Sequence, residues 1–281
     1  MIGNKYKIIN KITQGSFGTI LKGENIRTGE QVAIKVESKD SIVKTLKTEA
    51  KIHQYLGLTD GFPHLKWYGT NDKFNFLVLD LLGDSLSNIV SYYKALSLKT
   101  VLLIGIQIIK RIKMIHSKFL LHRDIKPDNF LLGRDKETNI NSNKIYLIDF
   151  GFCKKYVNNG KHIDQIFINK IIGSNNFVSL NIHNRIEPSR RDDVESCIYI
   201  ILYMYFGELE WFKITNEKDI YKLKYELTNN EDVPSFIKIM LYYVRELKFE
   251  EKPDYDYLIE LMEKVFSTNK YKNDDKFEWS V

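Results

Sequence analysis

His122-Arg123-Asp124-Ile125-Lys126-Pro127-Asp128-Asn129 is the stretch of this sequence that decides its fold and chemistry. It follows the pattern His-Arg-Asp, four residues and Asn, which is typical of a loop that catalyses phosphoryl transfer. Such a reaction needs a carboxylate to orient the attacking hydroxyl, and Asp124 is suited to this. Lys126 can neutralise charge on the γ-phosphate, and the Asn129 amide oxygen can bind Mg²⁺. We therefore take these three residues as the catalytic candidates.

A second acidic motif, Asp149-Phe150-Gly151, follows a strand-like segment at residues 144–148. A carboxylate in this position can bind Mg²⁺ that bridges two phosphates. Asp-Phe-Gly alone is common by chance, so its value lies in its order relative to the catalytic stretch. Asp149 and Asn129 are the predicted metal ligands.

A glycine turn at Gly15-Ser16-Phe17-Gly18 lies between two strand-like segments near the N-terminus. Glycines let backbone N–H groups approach phosphate oxygens, although a Gly-x-x-Gly turn is more often a plain hairpin. Lys35 follows on the next strand, in Val-Ala-Ile-Lys, and Glu49 lies on a predicted helix. A Lys35–Glu49 pair would hold the ammonium against the α- and β-phosphates. The alternative for each is an ordinary surface charge.

The hydrophobic pattern of the sequence changes near Leu82-Gly83. Short β-branched runs separated by glycine-containing breaks precede this point, and helical periodicity dominates after it. We expect an α+β fold with a small β-rich lobe at about 1–82 and a larger helical lobe at about 83–281. Helices are predicted at residues 43–56, 98–117, 193–206, 235–244 and 255–266, and further strands at 74–82 and 130–132.

Composition limits the classes of function. Lys and Arg total 42 against 36 Asp and Glu, which gives a net charge of +6. This mild basicity suits acidic substrates and lacks the dense bias of a nucleic-acid binder. Two isolated cysteines favour a reducing compartment. The apolar run at 197–206 is too short to span a membrane, and no signal core opens the chain. We expect a soluble cytoplasmic or nuclear protein, a monomer, with no nucleic-acid or membrane partner.

The motifs taken together resemble the protein kinases, and among them the casein kinase I family. The segments that carry the resemblance span nearly the whole chain: 96–102, 116–118 running into 122–132, 189–196 and 252–255. Ser179-Leu180-Asn181 stands where most kinases have Ala-Pro-Glu. Phe277-Glu278-Trp279 is similar to the end of the family's domain, so we expect a catalytic domain without a C-terminal tail.

The resemblance implies a bilobal protein-kinase fold, ATP and Mg²⁺ as cofactors, and Ser/Thr sites of acidic proteins as substrates. It also implies residues that bind the nucleotide. Asp80 to Leu82 would be the hinge whose backbone bonds adenine, and Asp193 would cap the catalytic loop. Apolar residues would sandwich the adenine ring, and they can equally belong to the core: Ile12, Ile20, Ala33, Leu131 and Ile148.

The sequence departs from the family pattern at several positions. Thr13 replaces the first glycine of the loop, where a side chain would restrict φ. Asn176 replaces an arginine that binds phosphate, and nearby Lys170, Lys222 and Lys224 could retain basic character there. Arg190 and Arg191 fit a solvated pair or an anion site equally well.

Two alternatives compete with an active kinase. A catalytically weak pseudokinase that serves as a scaffold is favoured by Thr13 alone. A kinase for small molecules is disfavoured, because Lys126 two residues after Asp124 is the form found in Ser/Thr protein kinases.

Overall fold

The computed structural model describes residues 1–15, 18–135, 141–274 and 276–279. The chain forms two compact units. The first comprises Met1–Gly83, Leu131–Ser142 and Tyr146–Phe152, and the second comprises Asp84–Phe130, Asn143–Ile145 and Cys153–Val281. The first unit is therefore assembled from three separate stretches of the chain.

A five-stranded antiparallel sheet forms the body of the first unit, in the order β1-β2-β3-β5-β4. Its strands are β1 (Tyr6–Gly15), β2 (Gly18–Asn25), β3 (Gln31–Ser38), β4 (Leu65–Thr70) and β5 (Phe74–Asp80). Hydrophobic alternation explains the two faces, since side chains of a strand point to opposite sides in turn. Val32 and Ile34 are completely buried, whereas Ala33 and Lys35 between and after them are only partly so.

Each face of this sheet has its own apolar cluster. One consists of Ile2, Tyr6, Val32, Ile34, Phe76 and Val78. The other joins Leu77 and Leu79 of β5 to Leu46 and Ala50 of a helix, α1 (Leu46–Leu56). Lys35 pairs in register with Leu77, so it shares the face that α1 covers. The packing thus brings the helix carrying Glu49 to the side of the sheet that carries Lys35.

The start of α1 is fixed by a carboxylate from the sheet. Glu37 on β3 accepts hydrogen bonds from the backbone N–H groups of Thr45 (2.7 Å) and Leu46 (3.0 Å). These N–H groups have no partner within the helix, and a negative charge also complements the helix dipole at this end. This contact sets the register of α1 relative to β3.

The second unit is mainly helical. Its helices are α2 (Leu86–Tyr93), α3 (Leu98–Ser117), α4 (Leu180–His183), α5 (Arg190–Phe206), α6 (Glu217–Glu226), α7 (Ser235–Glu246) and α8 (Tyr255–Thr268). Helix α5 is buried along nearly its whole length, and α3 and α7 pack against it. Gly105 permits close contact between α3 and α8, because a Cβ atom there would lie 2.8 Å from the sulfur of Met262.

Short strands complete the described chain. They are β6 (Leu120–Leu121), β7 (Phe130–Arg134), β8 (Asn141–Leu147), β9 (Lys154–Lys155), β10 (Val157–Asn158) and β11 (Lys161–His162). They form three two-stranded sheets, β6 with β9, β7 with β8, and β10 with β11. The 3₁₀ turns at Pro127–Asn129 and Phe150–Phe152 lie within the two acidic motifs found in the sequence.

The α+β class predicted from the sequence is confirmed, with a sheet in the N-terminal region and helices beyond it. The predicted helix at 98–117 has the observed bounds, and α5 begins three residues earlier than predicted. Strand β4 and helices α2 and α6 were not predicted. In the part of the chain that the structure describes, no helix has the length and apolar character needed to cross a membrane. Cys153 and Cys197 are free thiols.

Candidate active site

The glycine turn joins β1 to β2, and Gly15 pairs with Gly18 across it. Gly18 has a φ of 141°, and a Cβ atom there would lie 2.1 Å from the carbonyl oxygen of Val36. Only glycine therefore fits at this end of the turn. Ser16, which was also predicted to bind the nucleotide, lies outside the described residues.

Thr13, which replaces a glycine of the family pattern, lies inside β1 and pairs with Ile20. It is not among the residues with a positive φ. A side chain is readily accommodated in this strand conformation, and the effect of Thr13 on ATP binding stays a prediction. The position does not require glycine.

Lys35 connects three separate segments of the first unit. Its Nζ lies 2.7 Å from Oε2 of Glu49 on α1 and 2.8 Å from Oδ1 of Asp149, which follows β8. The predicted pairing of Lys35 with Glu49 is thus present, and Asp149 joins it. Glu49 is almost completely buried, at 1% exposure. The strand, the helix and the Asp-Phe-Gly motif therefore meet at one ammonium group.

The charge of Lys35 is set by these two carboxylates. Burial alone would lower its pKa, but the nearby charges of Glu49 and Asp149 outweigh burial and hold the pKa above its ordinary value. Lys35 is therefore a permanent cation at physiological pH. An anionic ligand that reaches it finds a positive charge already oriented by protein groups.

Phe150 anchors the Asp-Phe-Gly motif. Its ring is completely buried, lies edge-on to His53 of α1 at 4.9 Å, and contacts Phe62 at 5.8 Å between centroids. Its backbone also hydrogen-bonds to Glu49. Asp149 beside it has a φ of 64°, a conformation that a non-glycine residue keeps only when its surroundings hold it. These contacts explain how Asp149 is held at Lys35.

Two of the apolar residues predicted to contact a nucleotide base, Ile20 and Ala33, share the sheet face of Lys35. Ile20 lies directly opposite Lys35 on β2, and Ala33 precedes Lys35 by two residues on β3, which places both on the same side. The other predicted apolar contacts range from half-buried to exposed, with Ile12 at 48%: Ile12, Leu131 and Ile148.

The predicted hinge, Asp80 to Leu82, begins at Asp80, the last residue of β5. The carboxylate of Asp80 is held by Lys66 of β4 at 2.9 Å. The chain is fixed again just after Leu82, where the N–H of Gly83 donates to the carbonyl of Leu132 at 2.9 Å. Asp80 thus has a structural side chain, and its backbone is the part suited to the predicted contact with adenine.

The predicted catalytic residues of the second unit converge on the carboxylate of Asp124, which is 4% exposed. Nζ of Lys126 lies 2.8 Å from Asp124 Oδ2, and the hydroxyl of Ser174 donates to Oδ1 at 2.9 Å. Nδ2 of Asn129 donates to the Asp124 carbonyl at 2.8 Å. Asp124 is thereby fixed in position with a cation beside it.

The backbone of this loop is held from the start of α5. Asp193 accepts hydrogen bonds from the N–H groups of His122 (2.7 Å) and Arg123 (2.9 Å), and its Oδ2 contacts Nε2 of His116 at 3.0 Å. Burial would raise the pKa of Asp193, but the hydrogen bonds and the neighbouring histidines lower it below its ordinary value. The predicted capping role of Asp193 is confirmed, and it explains how Arg123 keeps a φ of 68°.

The basic residues around the loop are partnered. Glu187, itself buried, lies 3.6 Å from Nη1 of Arg123 and 2.7 Å from Nζ of Lys154. Arg190 stacks on the ring of Tyr156 at 4.7 Å. Arg191 donates to the carbonyl of Leu247 at 2.6 Å. These contacts match neither of the two interpretations of Arg190 and Arg191, a solvated pair or an anion site, and give both side chains a structural role.

The segment at 173–178 and the lysines near it provide less positive charge at the surface than the sequence predicted. The carbonyl of Asn176 accepts a hydrogen bond from Nε1 of Trp211 at 2.8 Å. Lys224, expected to add basic character to the surface here, is completely buried and cannot reach a bound substrate. Lys170 and Lys222 are exposed. The surface basicity of this region is thus lower than the sequence suggested.

The residues predicted to bind Mg²⁺ are of the right chemical type. Asp149 offers a partly exposed carboxylate, and the Nδ2 hydrogen bond of Asn129 orients its amide, so that Oδ1 is turned away from the Asp124 carbonyl. Among the described ranges, His, Cys, Asp and Glu form no group of three or more able to hold a metal. Mg²⁺ usually takes one or two protein oxygens together with substrate phosphates, so the oxygen donor of each residue is of a type that fits it.

Sequence reasoning missed the roles of Ser174 and Glu187, and it placed Lys224 on the surface although its side chain is buried. Ser174 lies 50 residues from Asp124 in sequence, and no spacing rule connects them. Glu187 and Lys224 look like ordinary surface charges until burial is known. Only the tertiary structure could identify them.

Residues 6–272 match the family model described as the protein kinase domain.

Proposed function

Because the chain belongs to the protein kinase domain family, we propose that it is an active, ATP-dependent serine/threonine kinase. It would transfer the γ-phosphate of Mg·ATP to Ser or Thr of acidic protein substrates, in the manner of casein kinase I. The catalytic residues would be Asp124, Lys126 and Asn129.

The ion pair between Asp124 and Lys126 carries this proposal. Asp124 Oδ2 and Lys126 Nζ are 2.8 Å apart, and the carboxylate is nearly buried. Asp124 would orient the substrate hydroxyl and accept its proton, while Lys126 stabilises the negative charge that develops on the transferred phosphoryl group. A lysine in this position favours serine and threonine hydroxyls as acceptors over tyrosine.

The first unit supplies the groups suited to the nucleotide. Lys35 would bind the α- and β-phosphates while Glu49 keeps its ammonium in place, at 2.7 Å. The backbone N–H groups between Gly15 and Gly18 would approach the phosphates, with Ser16 among them. The apolar residues on the sheet face of Lys35, with the backbone of Asp80 to Leu82, would bind adenine.

Asp149 and the Oδ1 atom of Asn129 are the groups that would hold Mg²⁺. The bound ion would neutralise phosphate charge. Asp149 is kept in place by Lys35 at 2.8 Å and by the buried ring of Phe150.

A pseudokinase that acts as a scaffold is the alternative from another class. Thr13 was its only support in the sequence, and its ordinary strand conformation removes that support. Lys35, Asp124 and Asp149 are all present and all held by specific partners. We therefore retain the active enzyme as the proposed function.

Phosphate transfer from ATP to casein, with and without Mg²⁺, tests the proposal. Asp124→Asn should lower kcat by about a hundredfold to ten-thousandfold, the usual contribution of a general base, while nucleotide affinity changes little. Asp128→Asn is the matched control, because Asp128 lies in the same loop and is exposed. No transfer by the wild-type protein, or turnover retained in Asp124→Asn, would refute the proposal.

A further inference from the structure

Lys224 of α6 is a buried amine whose Nζ contacts the backbone next to the catalytic loop. Its side chain has 0% exposure. Nζ donates to the carbonyls of Asn175 (2.9 Å) and Val178 (2.8 Å) and contacts Nε2 of His183 at 3.1 Å. In the protonated, ammonium form Nζ has three N–H donors for these three contacts. Two of them bind the backbone of the segment 174–178.

This ammonium is buried without an ion pair. Among the described residues no carboxylate forms a salt bridge with it, although Glu195 and Arg245 lie near enough to affect its charge. The rings of Tyr199 and Trp211 face Nζ with centroids at 4.8 and 5.6 Å. Burying an unpaired charge is costly unless hydrogen bonds replace its water. Its hydrogen bonds to the segment 174–178 supply that replacement.

The segment 174–178 is fixed at both ends and in its middle. Ser174 donates to Asp124 at 2.9 Å, and Trp211 donates to the carbonyl of Asn176 at 2.8 Å. With the two bonds from Lys224, three of its carbonyls are thus bound by buried side-chain donors. Asn175 remains exposed on the outside of the segment. The segment presents a defined surface beside the catalytic carboxylate.

We propose that Lys224 is a positioning residue for the protein substrate: it fixes the segment 174–178, and so holds both Ser174 at Asp124 and the surface that the substrate contacts. The proposal rests on the proposed kinase function. Lys224 itself cannot touch the substrate, because its side chain has no exposed surface. Its effect would pass through the backbone of the segment.

The test compares Lys224→Met, which keeps the length of the side chain and removes its donors, with Lys218→Met. Lys218 is on the same helix and is exposed. For a peptide substrate, kcat/KM should fall by about tenfold or more in Lys224→Met, since two hydrogen bonds to the segment are lost. It should be unchanged in Lys218→Met. The affinity for Mg·ATP, measured by calorimetry, should be the same in both.

Hydrogen exchange gives a readout that does not depend on catalysis. The amides of residues 174–178 should exchange faster in Lys224→Met than in Lys218→Met. Trp211→Phe, which removes only the bond to the Asn176 carbonyl, should change exchange and kcat/KM in the same direction but less. If Lys224→Met does not fold, Trp211→Phe tests whether side-chain bonds to the segment 174–178 control its exchange and the peptide kcat/KM.

Unchanged exchange together with a peptide kcat/KM within twofold of wild type in Lys224→Met would overturn the inference. A loss of Mg·ATP affinity equal to the loss for peptide would also overturn it, since the effect would then be general. If the wild-type protein transfers no phosphate, the kinase proposal fails, and the exchange experiment still decides whether Lys224 fixes the segment.

Discussion

The hydroxyl of Ser174 donates a hydrogen bond to Oδ1 of Asp124 at 2.9 Å, while Lys126 binds the other oxygen of the same carboxylate at 2.8 Å. Asp124 therefore has a partner for each oxygen before any substrate binds. The Ser174 hydroxyl is a group that a substrate hydroxyl would have to accommodate. Its position leads to the first prediction.

Activity should not require phosphorylation of Ser174. A phosphate there would place about two negative charges next to the Asp124 carboxylate, where like charges repel. Glu187 already supplies a carboxylate to Arg123 at 3.6 Å. Protein made in bacteria and treated with phosphatase should be active at once, Ser174→Ala should lose less than Ser174→Glu, and Ser174→Glu should be nearly inactive. Activity that appears only after phosphorylation of Ser174 would contradict this prediction.

Asp149→Ala should weaken nucleotide binding only when Mg²⁺ is present. Under the proposed function Asp149 would offer its carboxylate to the metal, and it also contacts Lys35 at 2.8 Å. Lys35 would keep its ion pair with Glu49, so metal-free ATP should bind about as before or slightly more tightly. Calorimetric titration with ATP, with and without Mg²⁺, measures both affinities. An unchanged affinity for Mg·ATP would remove Asp149 from the metal site.

Thr13→Gly should leave the Michaelis constant for ATP within about twofold of wild type. Thr13 is paired with Ile20 in β1 and has no positive φ, so glycine gains nothing there and only loosens the strand slightly. Gly18→Ala is the informative contrast, because its Cβ would lie 2.1 Å from the Val36 carbonyl oxygen. Gly18→Ala should clearly raise the Michaelis constant for ATP. A large change in Thr13→Gly would mean that Thr13 contacts the nucleotide.

The sequence alone identified the motif residues, but it did not identify the residues that hold them in position. The strand-like first third and the helical periodicity after it predicted the α+β class, and the motifs gave the resemblance that implied a kinase fold. Helix α6 was missed, since its polar sequence around one buried lysine has no strong apolar stripe. Lys224 was read as a surface charge for the same reason. Burial of a polar residue depends on tertiary contacts that the local sequence does not encode.

Fold stability should depend on pH through Lys224. Burial lowers its pKa from 10.5 to about 7, with Glu195, Arg245, His183 and Tyr199 around it. Between pH 7 and pH 10.5 Lys224 is protonated in the unfolded chain and deprotonated in the folded chain. The free energy of unfolding therefore rises with pH in this range. The advantage of wild type over Lys224→Met in free energy of unfolding should therefore grow from pH 7 upward, by at most about 1.4 kcal/mol per pH unit.

Urea denaturation of both proteins at pH 6, 7, 8 and 9 measures this difference. The difference should be nearly constant below pH 7, where Lys224 is protonated in both states. Lys222→Met serves as the control and should show no such trend, since Lys222 is exposed. A difference between wild type and Lys224→Met that is the same at every pH would show that the pKa of Lys224 is ordinary.

Preference for phosphate-primed substrates should be weak, and Asn176 is the reason. The proposed casein kinase I-like specificity includes reading a phosphoserine or acidic residue a few positions before the target, through charge-assisted hydrogen bonds. Asn176 cannot form the bidentate contact of a guanidinium group, and buried Lys224 cannot replace it. Losing one charged hydrogen bond is worth about 1.5–3 kcal/mol, or roughly tenfold to a hundredfold in discrimination.

Matched primed and unprimed peptides should therefore give similar kcat/KM values in the wild type, with acidic substrates such as casein still accepted through exposed lysines such as Lys170. Asn176→Arg should gain at least about tenfold for the primed peptide, since the carbonyl of residue 176 stays bound to Trp211 at 2.8 Å and only the side chain changes. Asn175→Arg controls for added charge alone and should gain less. A wild type that prefers the primed peptide by more than about a hundredfold would show that another cation reads the phosphate. A lack of gain in Asn176→Arg would show that the missing guanidinium is not the cause.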